Sequence, residues 1–249
     1  MKKHCLHMKI ILLFTALTIL LIPSLACNQS NWELSNGTLT IRNDAGMREW
    51  KFFLNSTGGD WDPILNSIKV VKLNYGVTII ANSAFEWCKN LEEVFMANSI
   101  HTIDKAAFAM CPSLKTIHWS RGLQIIDENA FRESGLCEAR LPNKVQQIRK
   151  TAFYDCPNLK RIILPAYVTE FEGIMDCYNL REVVFLGKPP GSETGSHRNV
   201  FWIYAEEQRP VTIYYLKRYK EYWSPNGETE YSNMPLVAVD SLDNLPPLC

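Results

Sequence analysis

The sequence of 249 residues predicts a mostly β solenoid of about five rungs with a cap at each end, its short parallel strands, one or two per rung, joined by turns or short helices. Three observations carry this prediction. An Ala-Phe pair recurs at Ala84-Phe85, Ala107-Phe108, Ala130-Phe131 and Ala152-Phe153, at spacings of 23, 23 and 22 residues. Cys88, Cys111 and Cys156 each follow their Phe by three residues, with Ser134 at that place in the third unit. Each unit then runs through a leucine into an alternation such as Ile117-His118-Trp119 or Ile162-Ile163-Leu164, a period of two that reads as a strand with one buried face. Self-similarity at a fixed period of this length is the signature of stacked repeats.

The elements follow in chain order. Residues 1–26 read as a signal peptide: Lys2, Lys3 and Lys9 precede an apolar run of 13 residues, Ile10 to Ile22, and Ser24-Leu25-Ala26 offers small residues for cleavage. That run is too short for the about 20 residues a membrane-spanning helix needs. Residues 27–66 form an N-terminal cap with a β-hairpin, because Trp32 to Ile41 alternates around Asn36-Gly37, a strong hairpin signal.

The solenoid spans 67–187, beginning with a half unit at Ile68, Val71 and Leu73. In the second full unit Ile100, Ile103, Ala107, Phe108, Cys111, Leu114, Ile117 and Trp119 point inward. A degenerate last unit reads Val168, Phe171, Gly173, Ile174, Cys177, Leu180, Val183 and Phe185. A single rung cannot bury enough apolar surface to fold alone, so neighbouring rungs share faces and the ends need caps. Residues 188–249 supply a C-terminal cap and tail: Lys188-Pro189-Pro190-Gly191 breaks the period, Val211 to Tyr215 reads as a strand, and Tyr219, Tyr222 and Trp223 lie on a short helical stretch. Gly191 to His197 reads as a flexible insertion.

Without residues 1–26 the chain carries 23 basic and 26 acidic side chains, a net charge of −3. This weakly acidic balance, with no basic stripe, argues against nucleic acid as a partner and against electrostatic docking on anionic lipid. Of eight cysteines, Cys5 leaves with the signal and Cys27 stands apart. Cys88, Cys111, Cys156 and Cys177 share one template position, where a small apolar side chain packs in the core. Rungs about 4.8 Å apart leave bridges between 88 and 111 or 156 and 177 as the alternative. Cys137 and Cys249 have no assigned role; free thiols are the default and a mutual bridge is the alternative. Beyond residue 26 only His101, His118 and His197 remain, with no Cys-x-x-Cys, no phosphate loop and no nucleophile motif, so the reading assigns no metal, no cofactor and no catalytic residue.

Function is then sought among the outward residues of the strands. Period two turns Glu93 and Phe95, Thr116 and His118, Glu138 and Arg140, Arg161 and Ile163, and Glu182 and Val184 away from the core, with Val70 and Lys72 opening the same rows. One row therefore reads Lys72, Phe95, His118, Arg140, Ile163, Val184. Its mixture of aromatic, basic and apolar groups suits a contact surface; β-propensity on a half-exposed sheet is the competing explanation. The binding candidates are Lys72, Glu93, Phe95, Thr116, His118, Arg140, Arg161 and Ile163, and the partner class is a protein or a glycan. The aromatic cluster Tyr214, Tyr215, Tyr219, Tyr222 and Trp223 suits cap core better than a sugar-stacking platform.

The pattern Val-x-x-Ile-x-x-x-Ala-Phe-x-x-Cys-x-x-Leu-x-x-Ile-x-Leu-Pro resembles the BspA-like leucine-rich repeats of bacterial surface proteins, over residues 30 to about 223. The opening from Trp32 to Ile41, then Trp61 and Gly76-Val77-Thr78, is similar to the N-terminal segment common in that family. The resemblance implies a right-handed leucine-rich-repeat solenoid in a secreted or surface-anchored protein, an adhesion or binding module without catalytic residues to transfer. It departs from larger members in showing no second array, immunoglobulin-like module or wall-anchoring tail. Ser24-Leu25-Ala26-Cys27 resembles a bacterial lipoprotein box, which implies lipidation at Cys27 and a membrane link through that anchor alone. Ser24 replaces the usual leucine, so ordinary cleavage and free secretion stay open, and Asn28-Gln29-Ser30-Asn31 stands where surface-exported lipoproteins sometimes carry an acidic run. An outer-membrane lipoprotein acting at the cell surface is the leading expectation, with a periplasmic or secreted protein, or an assembly component that contacts other envelope proteins, as the alternative.

Overall fold

A computed structural model describes residues 31–56, 62–190, 211–231 and 234–245. The signal segment, Cys27, Trp61, the insertion from Gly191 to His197 and Cys249 lie outside the described residues. In chain order the N-terminal elements are β1 (Trp32–Ser35), β2 (Thr38–Ile41), α1 (Asp44–Ser56) and α2 (Asp62–Ser67). The repeats contribute β3 (Val70–Leu73), β4 (Ile79–Ile80), β5 (Glu93–Met96), β6 (Thr102–Ile103), β7 (Thr116–His118), β8 (Ile125–Ile126) and β9 (Glu138–Arg140). They continue with β10 (Gln147–Ile148), β11 (Phe153–Tyr154), β12 (Arg161–Leu164), β13 (Glu170–Phe171), β14 (Ile174–Met175) and β15 (Glu182–Phe185). At the C-terminal end come β16 (Thr212–Leu216), a 3-10 turn and α3 (Lys220–Trp223), β17 (Glu230–Tyr231) and β18 (Met234–Val239).

Each rung has three sides. The longer strands make one side, in two parallel arrays, β2-β3-β5-β7 and β9-β12-β15-β16-β18. The two-residue strands β4, β6, β8, β10 and β13 stack in parallel as the second side. The Ala-Phe-x-x-Cys segment turns along the third. Its backbone enters the left-handed region twice per rung, just before the Ala and just before the Cys: Ser83 and Trp87, Ala106 and Met110, Asn129 and Glu133, Thr151 and Asp155. Those turns aim amides along the stacking axis. Thus Trp87 N–H donates to the Ala109 carbonyl at 3.0 Å and Met110 N–H to that of Arg132 at 2.8 Å.

The Ala-Phe pair is interior, as its period implies. Phe85, Phe108, Phe131 and Phe153 are fully buried. Their rings stack from rung to rung, with centroids 5.1, 5.5 and 5.3 Å apart. The cysteines behind them do more than fill space. The Cys111 thiol donates to the Phe85 carbonyl at 3.2 Å, that of Cys156 to Phe131 at 3.1 Å and that of Cys177 to Phe153 at 3.0 Å. Cys88, Cys111, Cys137, Cys156 and Cys177 are free thiols. Burial pushes the Cys88 thiol up to about 12 and that of Cys111 well above its ordinary value, so these sulfurs stay protonated and able to donate.

Both ends are closed by a tryptophan. Asn36 and Gly37 take positive φ (49° and 76°), the turn their sequence foretells, and β1 pairs antiparallel with β2. Helix α1, which hydrophobic alternation did not reveal, starts with the Asn43 side chain accepting from Gly46 N–H at 2.9 Å. Its buried stripe is Met47, Trp50 and Leu54. In the array each Ala carbonyl accepts from the Phe amide of the preceding rung, as Ala107 does from Phe85 at 2.9 Å. Ala84 has no preceding rung, and the Trp50 indole N–H serves its carbonyl at 2.7 Å. At the other end Trp223 donates to the Gly187 carbonyl at 2.9 Å and packs on Phe185, centroids 4.6 Å apart. Tyr215 and Trp223 are buried, whereas Tyr222 is exposed beneath the Lys188 ammonium at 4.4 Å.

Candidate binding face

The side built from the longer strands divides in two. Register aligns Lys72 with Phe95 and Phe95 with His118, so these residues stand in file on β3, β5 and β7. The Phe95 and His118 rings are parallel to within 3°, centroids 4.2 Å apart. The Lys72 ammonium lies 5.9 Å from the Phe95 centroid on the same file. His118 Nε2 sits 2.8 Å from Glu93 Oε1 across the strands. Lys72, Thr116 and His118 are exposed, Glu93 and Phe95 half-buried. Stacking of this kind adds about 0.5–1.5 kcal/mol beyond area burial; an exposed ion pair adds less than about 1 kcal/mol.

Arg161 and Ile163 depart from expectation. Ile163 and Val184 are 3% and 0% exposed, and Arg161 and Glu182 are 7% and 8% exposed. Arg161 Nε is hydrogen-bonded to the Glu182 carboxylate, while its Nη1 lies 3.6 Å from Glu138 Oε2. Period two assigns a residue to a side of its strand; it does not say what lies over that side. All four positions of β12 and of β15 are buried. Their apolar runs, Ile162-Ile163-Leu164 and Val183-Val184-Phe185, have the composition of parallel strands covered on both faces, the signal that could have located this region. Tyr214 extends the same row beyond Val184. Burial and the neighbouring Glu182 carboxylate, opposed by Arg161, raise its phenol above the ordinary value.

Arg140 is exposed but stands apart from His118. The sheet that begins at β1 ends at β7, and the next begins at β9, with no ladder between them. The cause is the short third rung. One residue is missing between Ser134 and Leu136 relative to the other units, and Gly135 fills the tightened corner, where a Cβ would lie 2.0 Å from the Pro112 carbonyl oxygen. Two residues expected inside are affected: Ile117 and Trp119 are half-buried, whereas Val94 and Ala139 on the rungs to either side are fully buried.

The second side carries a shallow charged cleft of about 320 Å³. Two of its four acids are held by bases: Arg149 Nη1 lies 2.9 Å from Asp127 Oδ2, and Lys105 Nζ 3.2 Å from Glu128 Oε2. Asp127 also accepts from Glu128 N–H at 2.7 Å, which fixes it as a corner of the rung. Among the described residues no group of three His, Cys, Asp or Glu side chains is placed to hold a metal ion.

Comparison with known proteins agrees with this architecture. Residues 65–184 match the family model described as BspA type leucine rich repeat region, in 6 copies. No curated protein matches the chain. A leucine-rich repeat protein from Eubacterium ventriosum is similar in structure at 23% identity and a TM-score of 0.50, over 62% of this chain and 41% of that one. The pneumococcal vaccine antigen PcpA is similar at 18% identity and a TM-score of 0.53, over 69% of this chain and 41% of that one. A leucine-rich repeat protein of T. pallidum aligns at 20% identity with a TM-score of 0.48, covering 84% of this chain and 89% of that one. The chain spans about two fifths of the length of the first two, and likeness at such identities bears on the fold alone. Residues 65–184, with their stacked Phe ladder and parallel strand faces, are a BspA type leucine-rich repeat region.

Proposed function

We propose that this chain is an exported, non-catalytic binding module of a bacterial envelope that recognises a protein or glycan partner through the exposed part of its strand face. The observation that carries the reading is the file Lys72, Phe95 and His118 with Glu93 beside it, an aromatic pair held in register on the solvent side of the sheet. Core packing does not require those rings, since the interior is filled by the Phe ladder beneath. Thr116 and Arg140 border the file; Arg161 and Ile163 leave the site and join the framework. Export rests on the basic and apolar N-terminal segment, and a lipid anchor on Cys27.

The test is capture. The immobilised chain and its Lys72→Ala/Phe95→Ala/His118→Ala variant are each exposed to envelope extract and to host matrix proteins and glycans. At least one partner retained by the natural chain is expected to be lost from the variant while its circular dichroism stays unchanged. An identical set of retained partners would remove the face from consideration. Digestion by protease added to intact cells is expected for a surface protein, and survival would favour an assembly role inside the envelope. Cys27→Ser should move the protein out of the membrane fraction.

A further inference from the structure

We infer that the break between β7 and β9 is an insertion slot for a planar aromatic side chain of a protein partner, held between the His118 imidazole and the Arg140 guanidinium. The inference rests on the strand-face reading and narrows it to one rung and one chemistry.

The ring stack is the starting point. Phe95 and His118 lie face to face, so each has one face occupied by the other. The second face of Phe95 meets the Lys72 ammonium. The second face of His118 points along the file toward the next template position, that of Arg140, and has no ring or charged group against it among the described residues. Arg140 is exposed and makes no ion pair among the described residues. An open π face and an unengaged guanidinium, at the same template position of consecutive rungs, are the two walls of a site for a flat ring.

Spacing explains why the slot lies here and nowhere else on the face. A ring between two flat groups needs about 3.5–4 Å on each side, or roughly 7–8 Å between the walls. Strands joined by a ladder stand about 4.8 Å apart, which admits no inserted ring; Phe95 and His118 fill such an interval with each other. Between β7 and β9 no ladder fixes the interval. The flexible stem of Arg140 supplies the rest. Ile117 and Trp119, half-buried beside the gap, form an apolar floor. His118 presents a ring face to the gap, and the exposed Arg140 guanidinium is free to turn its own face to it, while toward solvent the stacked file shows its edges. A sugar laid across the file would meet those edges, whereas an aromatic side chain entering edgewise meets two faces. The occupant is therefore a Trp, Tyr or Phe side chain of a protein.

Titration of the full chain with N-acetyltryptophanamide, followed by NMR of the His118 ring protons, tests this. An upfield ring-current shift that saturates in the millimolar range is expected, together with about fivefold weaker binding in Arg140→Ala and no saturable shift with N-acetylleucinamide. Absence of a saturable shift, an equal response to the leucine amide, or an unchanged affinity in Arg140→Ala would each overturn the slot. Arg140 is exposed, so its substitution leaves the core intact. Capture of a partner that depends on Lys72 and Phe95, without any response of His118 to the tryptophan amide, would reject the slot and leave the strand-face reading standing.

Discussion

Replacing Trp50 by Phe tests whether a borrowed hydrogen bond closes the array. Trp50 is fully buried, and its indole N–H reaches the Ala84 carbonyl at 2.7 Å, taking the place of the missing rung's amide. Phe keeps the aromatic body and its contacts with Trp32 and Phe53, whose centroids lie 5.3 and 5.7 Å away. What is lost is the donor, and a buried carbonyl left without a partner costs about 1–3 kcal/mol. The smaller ring leaves roughly 40 Å³ unfilled, adding about 1 kcal/mol at ~24 cal/mol per Å³. The sum is about 2–4 kcal/mol. Because stability in a repeat array is a nearest-neighbour sum, the loss should stay local. Hydrogen exchange at the Phe85, Trp87 and Ala106 amides, which bond to the following rung, should accelerate roughly thirty- to several-hundred-fold. The Arg181 and Leu186 amides near the far end should exchange as before. A change below threefold at the first rung, or equal acceleration at both ends, would refute the capping argument.

Three further outcomes follow from the same contacts. Arg161→Ala strands the Glu182 carboxylate, 8% exposed, and should cost about 3–5 kcal/mol in urea unfolding, whereas Arg161→Met with Glu182→Leu should be close to neutral; a loss under 1 kcal/mol in the single variant would contradict the buried pair. Gly135→Ala forces a Cβ to within 2.0 Å of the Pro112 oxygen. It should cost about 3 kcal/mol, a fall in Tm of roughly 6–12 °C, and an unchanged Tm would mean that the third corner is not pinched. Burial opposes the charge of Asp44, but hydrogen bonds from Thr78 N–H and hydroxyl and from Ile79 N–H, with Arg48 nearby, outweigh it and hold the carboxyl below 3.8. A depressed carboxylate stabilises the fold fully above about pH 5 and ceases to as pH falls through 3.8 toward its lower folded value. The stability difference between the natural chain and Asp44→Ala should therefore shrink from pH 7 to pH 3, and a constant difference would show that Asp44 stays charged or contributes nothing.

The interior was legible residue by residue. Ala84, Phe108, Cys156 and their counterparts are buried where the period puts them, because a side chain that recurs once per rung has the same neighbours above and below. The hairpin at Asn36-Gly37 was legible from local turn chemistry alone. Less legible was the chemistry of the cysteines: spacing places Cys111 and Cys177 inside, yet only coordinates reveal thiols donating to carbonyls one rung back. For the candidate site, Lys72, Phe95 and His118 fall in one file as alternation foretells. Arg161 and Ile163 do not reach solvent, since alternation is blind to whatever covers a sheet.

The amino-acid sequence by itself determined the period, the inward set and the side of each strand on which every residue lies, because these depend on chain geometry and hydrophobicity repeated rung after rung. Tertiary structure alone decided how Trp50 and Trp223 close the two ends and why the sheet divides between β7 and β9. Those features depend on contacts between segments far apart in the chain and on the packing consequence of one missing residue beside Gly135, and no local pattern encodes either.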